Sequence, residues 1–67
     1  MIINGEEIRR QREAMGLTLG ELAYTAGVSI PTISHIERGN KTTVVEVLVR
    51  IADRFGVTVD SLLKPRA

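Results

Sequence analysis

Four glycines, Gly16, Gly27, Gly39 and Gly56, each close an apolar-periodic segment in a chain of 67 residues. Glycine accepts the left-handed backbone conformation just past a helix end, where other residues pay a steric cost. Start signals precede the same segments. Asn4, Thr18 and Thr43 stand three residues before Glu7, Glu21 and Glu46. At that spacing the cap side chain takes an orphan backbone N–H, and the glutamate reaches back to the cap's own N–H. Ser29 and Thr58 can cap two further helices without a matching glutamate. Apolar pairs are placed to staple the entries: Ile3 with Ile8, Leu17 with Leu22, Val28 with Ile33, and Val57 with Leu62. The pattern predicts an all-α chain with five helices near 5–15, 19–26, 30–38, 44–55 and 59–63.

The stretch Val44 to Val49 is rich in β-branched residues, which favour sheet. Its apolar pattern continues through Ile51, Ala52 and Phe55 at helical spacing, and no partner strand is evident, so helix is the better reading. The expected core comprises Ile8, Met15, Leu17, Leu22, Ala23, Ala26, Val28, Ile33, Ile36, Val45, Leu48, Ile51, Ala52, Phe55, Val57, Leu62 and Leu63. With Val45 and Leu48 already in that core, Val44, Val47 and Val49 leave the fourth helix apolar over most of its circumference. Two readings stand: a homodimer interface through Val44, Val47 and Val59, or a thicker core covered by Ile2 and Ile3. Size favours the dimer, because so short a chain buries only about 60% of its unfolded surface.

Composition narrows the function classes. The chain has no cysteine and one histidine, so neither a disulfide framework nor a zinc site is expected, and no cofactor is implied. The lone histidine and the lack of a paired-carboxylate motif leave no catalytic residues to name, so an enzyme is not expected. The N-terminus lacks the basic start and apolar run of a signal peptide. The most apolar stretch, Val44 to Ile51, is far short of the roughly 20 residues of a membrane span. One soluble cytoplasmic domain over residues 1–67 is expected, with 64–67 a flexible tail. Nine basic and eight acidic side chains leave a net charge of +1. A polyanion partner therefore requires the charges to be segregated onto one face.

Two short helices joined by Gly27-Val28-Ser29 make a helix-turn-helix candidate over about residues 19–38. Val28, Ile33 and Ile36 fall on one helical face, which must be buried. Ile30, Pro31, Ser34, His35 and Arg38 lie elsewhere on the circumference. A helix anchored on one side and presented on the other can read the major groove of double-stranded DNA.

The sequence here resembles the helix-turn-helix domains of phage repressors and Cro and their small bacterial relatives. The resemblance rests on Leu17-Thr18, Glu21-Leu22-Ala23, Ala26-Gly27-Val28-Ser29, Thr32-Ile33-Ser34 and Ile36-Glu37-Arg38-Gly39, then Ile51-Ala52, Phe55-Gly56-Val57 and Asp60-Ser61-Leu62-Leu63. It implies a five-helix, repressor-like bundle acting as a homodimer on a two-fold operator. Carried over residue by residue, its base-reading positions fall on Ser29, Ile30, Pro31, Ser34 and His35. Its phosphate-contacting positions fall on Arg12, Thr18, Leu19, Thr32, Arg38, Asn40, Lys41 and Thr42. It further implies a bridge from Arg12 to Glu37; as residue types alone, the two could equally be surface charges.

Two positions depart from the family's habit. Leu19 stands where relatives often have a phosphate-clamping glutamine, and leucine has no side-chain donor. Ile30-Pro31 stands where polar readers are common; an apolar pair can touch thymine methyls but cannot make a bidentate hydrogen bond to a base. These departures keep a second reading open, an antitoxin or adaptor whose main partner is a protein such as a toxin. Tyr24 is left open between a backbone contact and plain exposure, and Arg9 and Arg10 read as part of a solvated face.

Overall fold

A computed structural model describes residues 2–39 and 43–65. Asn40, Lys41 and Thr42, expected at phosphates, lie outside the described residues. The chain folds into α1 (Gly5–Ala14), α2 (Leu19–Ala26), α3 (Ile30–Glu37) and α4 (Val45–Phe55), followed by a 3-10 turn over Asp60–Leu62. α2 packs against both α3 and α4, and α1 packs against α3. Among the described residues, no helix is long and apolar enough to cross a membrane.

The expected fifth helix is thus a single tight turn. Leu62 is fully buried, and the next residue, Leu63, has extended backbone (φ −111°, ψ 149°). Leu63 forms an antiparallel bridge with Ile3. The Asn4 N–H donates to the Leu62 carbonyl and the Lys64 N–H to the Ile2 carbonyl, each at 2.8 Å. Pairing with the N-terminal segment needs extended backbone, so the helix cannot run on. The same pairing ties down Lys64, the first residue of the expected tail.

The caps follow the sequence in part. The Thr18 hydroxyl accepts from the Glu21 N–H at 3.0 Å, and the Glu21 carboxylate accepts from the Thr18 N–H at 2.9 Å. That capping box holds the Glu21 carboxyl below its ordinary pKa, mainly through the Thr18 backbone bond. Asn4 caps α1 by accepting from the Glu7 N–H at 3.1 Å. The Glu7 carboxylate turns instead to Arg10 and Gln11, leaving that box half formed. Thr43 does not cap α4; Val44 occupies the cap position and offers no side-chain bond.

The start of α4 reflects its core register. Val47, Leu48, Ile51 and Ala52 are buried, whereas Val45, expected inside, is 55% exposed. Val47, expected at a subunit interface, joins the core cluster. Burying a Val, Leu or Ile side chain is worth about 1.5 to 3 kcal/mol, against about 1 kcal/mol for one cap bond, so core contacts choose the register. Met15, also expected inside, ends α1 as its C-cap, outside the core cluster, and is 42% exposed.

Two contacts set the frame around the helix pair. A Cβ built on Gly5 would collide with the carbonyl oxygens of Ile36 and Glu37, so α1 begins directly against the end of α3. From α4, Arg50 donates to the Ala26 carbonyl at 3.3 Å while pairing with Glu46 at 2.7 Å. A cation at the C-terminus of α2 satisfies an orphan carbonyl and complements the helix dipole.

Candidate nucleic-acid interface

α3 is held from beneath and from both ends. Gly27 turns the chain between α2 and α3 with a left-handed φ of 73°. The Ser29 hydroxyl accepts from the Thr32 N–H at 3.3 Å and shares a 2.8 Å hydrogen bond with the Thr32 hydroxyl. Pro31 lies in the first turn, where its missing N–H had no helical acceptor. Ile33 and Ile36 are fully buried, and Val28 packs half-buried against the core cluster they belong to. What remains outside is Ser29, Ile30, Pro31, His35 and Arg38, with Ser34 half-buried at the edge.

Glu37, the only acidic residue from 29 to 38, does not share that surface. It is 7% exposed and accepts two hydrogen bonds from Arg12, from Nε at 2.7 Å and from Nη2 at 3.2 Å. Arg12 Nη1 donates to the Leu17 carbonyl at 2.8 Å. The Glu37 hydrogen bonds raise the Arg12 pKa further above its ordinary value. One guanidinium therefore joins α1, the α1–α2 connection and the end of α3. The outward face of α3 is left with a histidine, an arginine and no exposed carboxylate. This is the charge segregation that a net charge of +1 demands of a polyanion binder.

Beside this face opens a cleft of about 210 Å³, lined by Arg9, Arg12, Leu19, Ser34, Glu37 and Arg38. It brings together three of the expected phosphate residues, Arg12, Leu19 and Arg38, with Ser34 from the expected base readers. Leu19 leans its side chain on the core, but it and Gly20 open α2, so their N–H groups have no helical acceptor. Arg12 reaches the cleft largely withdrawn from solvent. Arg9, read from sequence as part of a solvated face, also lines it, in an exposed 3.3 Å pair with Glu13. The signal was present: Arg9 and Arg12 are three residues apart and share a helical face. Thr18 stands instead on a wider depression of about 480 Å³ with Gly20, Glu21, Tyr24 and Arg54, to which α3 contributes nothing. Tyr24 is 89% exposed.

Away from the reading face, Val44 and Val49 are exposed with Val45, and Val59 is half-buried.

Residues 5–63 match the helix-turn-helix domain family. The chain belongs to that family. Its members of this type are transcriptional regulators rather than enzymes, and the helix-turn-helix chain here has the Cro/CI-like fold. It is 37% identical over 59 residues to the transcriptional regulator DdrOP3 of Deinococcus deserti, covering 88% of this chain and 46% of that one. The chain thus spans about half the length, or less, of the curated relatives it matches. The P22 c2 repressor, solved with a synthetic operator, superposes with a TM-score of 0.86 at 30% identity, covering 96% of this chain and 97% of that one. SinR of Bacillus subtilis, a master regulator for biofilm formation solved with DNA, gives 0.79 at 35% identity, covering 96% and 100%.

Proposed function

We propose that this helix-turn-helix domain binds double-stranded DNA sequence-specifically, as a homodimer on a two-fold operator in the cytoplasm, and represses transcription. The observation that carries this reading is the face of α3 itself, exposed, free of carboxylates and flanked by the arginine-lined cleft. Ile30, Pro31, Ser34, His35 and Ser29 enter the major groove. Backbone phosphates lie against Arg38, the Leu19 N–H and Arg12, and further phosphate contacts come from Thr18 and Thr32 and from Asn40, Lys41 and Thr42, which lie outside the described residues. Two structures supporting the reading were solved with operator or other DNA bound, at 30% and 35% identity.

The exposed valines Val44, Val45 and Val49, with Val59, supply the dimer contact, which sets the two reading helices about 34 to 36 Å apart, one turn of duplex. If each subunit neutralises about three phosphates, log affinity falls against log salt with a slope near −5. Selection of bound duplexes from a random pool at near-physiological salt tests the whole. A two-fold motif with half-sites about one helical turn apart is expected. A folded sample that enriches no motif refutes sequence reading and leaves a protein partner, such as a toxin, as the occupant of this face.

A further inference from the structure

One surface plays no part in the reading face. Tyr24, the chain's single tyrosine, is 89% exposed on α2. It lines the depression of about 480 Å³ together with Glu21 of α2 and Arg54 of α4, both exposed, and with the nearly buried Leu17. The ion pairs among the described residues join Arg9 to Glu13, Arg10 to Glu7, Arg12 to Glu37 and Arg50 to Glu46, so neither Glu21 nor Arg54 is paired. One Glu21 carboxylate oxygen accepts from the Thr18 N–H at 2.9 Å, and the other is uncommitted. The Thr18 bonds foremost, and Arg54 through space, keep that carboxylate ionised. A bare aromatic ring thus stands beside a free carboxylate oxygen and an unpaired guanidinium.

Tyrosine and arginine are among the residues that anchor protein contacts, which points to a protein as the occupant. The charges identify it. The surface carries one charge of each sign, so it selects neither an acidic nor a basic partner, yet it complements itself when turned about a two-fold axis. We propose that Tyr24, Glu21 and Arg54 form a second contact between copies of this chain, with Arg54 of each copy against Glu21 of the other and the two tyrosine rings packed near the axis. This contact is distinct from the valine face. Arg54 follows Val45 by nine residues, about two and a half helical turns, which sets the two on opposite sides of α4. α3 contributes nothing to the depression and stays free. So few side chains make a weak contact, with a dissociation constant on the order of 1 mM, so at micromolar concentration the valine face alone decides the assembly. Where copies are held close together, the second contact links them further.

Amide chemical shifts of the nitrogen-labelled chain, recorded in the Val44→Asp background over concentrations bracketing about 1 mM, test this. Gly20 to Thr25 and the neighbourhood of Arg54 are expected to shift with concentration. Tyr24→Ala weakens the association by about fivefold or more, as loss of an interface anchor does. Arg54→Glu and Glu21→Lys each set like charges against one another and abolish the shifts. Mixing these two variants pairs opposite charges at both positions and restores them. Glu21→Lys also removes a cap bond; should it fail to fold, Arg54→Glu and Tyr24→Ala decide the matter by themselves. Three results overturn the proposal and leave the depression to a different protein. They are no concentration-dependent shift at these residues, shifts that survive both Tyr24→Ala and Arg54→Glu, and a mixture of folded variants that associates no better than either one.

Discussion

Replacing Glu37 by alanine tests how the reading helix is held. The bridge is bidentate, at 2.7 and 3.2 Å, and its side chains are only 12% exposed for Arg12 and 5% for Glu37. Removing one partner of a buried pair leaves an uncompensated charge, at a cost of about 3 to 5 kcal/mol. The same pair on the surface would be worth about 0.2 to 1 kcal/mol. A domain of 67 residues has a total stability of about 3 to 10 kcal/mol, so Glu37→Ala removes a large part of it. With a urea m-value of about 1 kcal/mol per molar, the midpoint moves down by roughly 3 M, or the domain is unfolded without denaturant. Far-ultraviolet circular dichroism during urea titration measures this. Replacing Arg12 and Glu37 together by methionine restores part of the loss, since no charge is then left buried, while the Leu17 carbonyl still lacks its Arg12 donor. The loss also persists at about 1 M salt, where a solvent-exposed pair would be screened. A loss below about 1 kcal/mol, or a double variant no better than the singles, would refute the reasoning.

Other substitutions separate local propensity from packing. Gly5→Ala destabilises by about 1 to 3 kcal/mol, because the new Cβ meets the Ile36 and Glu37 carbonyls, which are backbone and cannot move aside. Gly20→Ala meets Ile30 Cδ1 at 3.5 Å and Thr18 Oγ1 at 3.8 Å, both ordinary contacts, and raises stability by up to about 1 kcal/mol; melting temperatures of the two variants should shift in opposite directions. The pKa of Glu21 is lowered on folding by its Thr18 bonds, and that of Glu7 by Arg10 and then Gln11. Both contribute stability above the ordinary carboxylate value of 4.5 and lose it as pH falls through their lowered values, so Glu21→Gln flattens the acid limb of melting temperature against pH. An identical acid limb in the variant would count against that assignment. Val44→Asp, at a position 64% exposed, leaves the fold intact and yields a monomer in sedimentation equilibrium; an unchanged mass removes the dimer contact from this face.

Much of the architecture was legible along the chain because helix ends are written locally. Thr18 with Glu21, Ser29, and the left-handed glycines at 16, 27, 39 and 56 act within a few residues of themselves, and the structure places them as expected. The presented face of α3 was legible for a similar reason: Ile33 and Ile36 claim one side of a short helix and so assign Ile30, Pro31 and His35 to the other. Tertiary contacts decided the rest. Val45 and Val47 are chemically alike and both fit a helical stripe; tertiary packing chose Val47 for the core, and the Thr43 cap gave way to that register. The last helix became a turn because Leu63 pairs with Ile3, a residue 60 positions away that no local pattern anticipates. Gly5 looked like part of a helix start, yet its missing side chain is required by the carbonyls of α3. Arg9 joined the basic cleft only once α1 crossed behind α3. Caps and periodicity are short-range and depend on residue type, so the sequence by itself determined which segments are helical and which face of α3 is free. The choice among similar apolar residues, and the inward turn of Glu37 that leaves the reading face without exposed carboxylates, depend on which distant groups meet, and only the folded structure decides that.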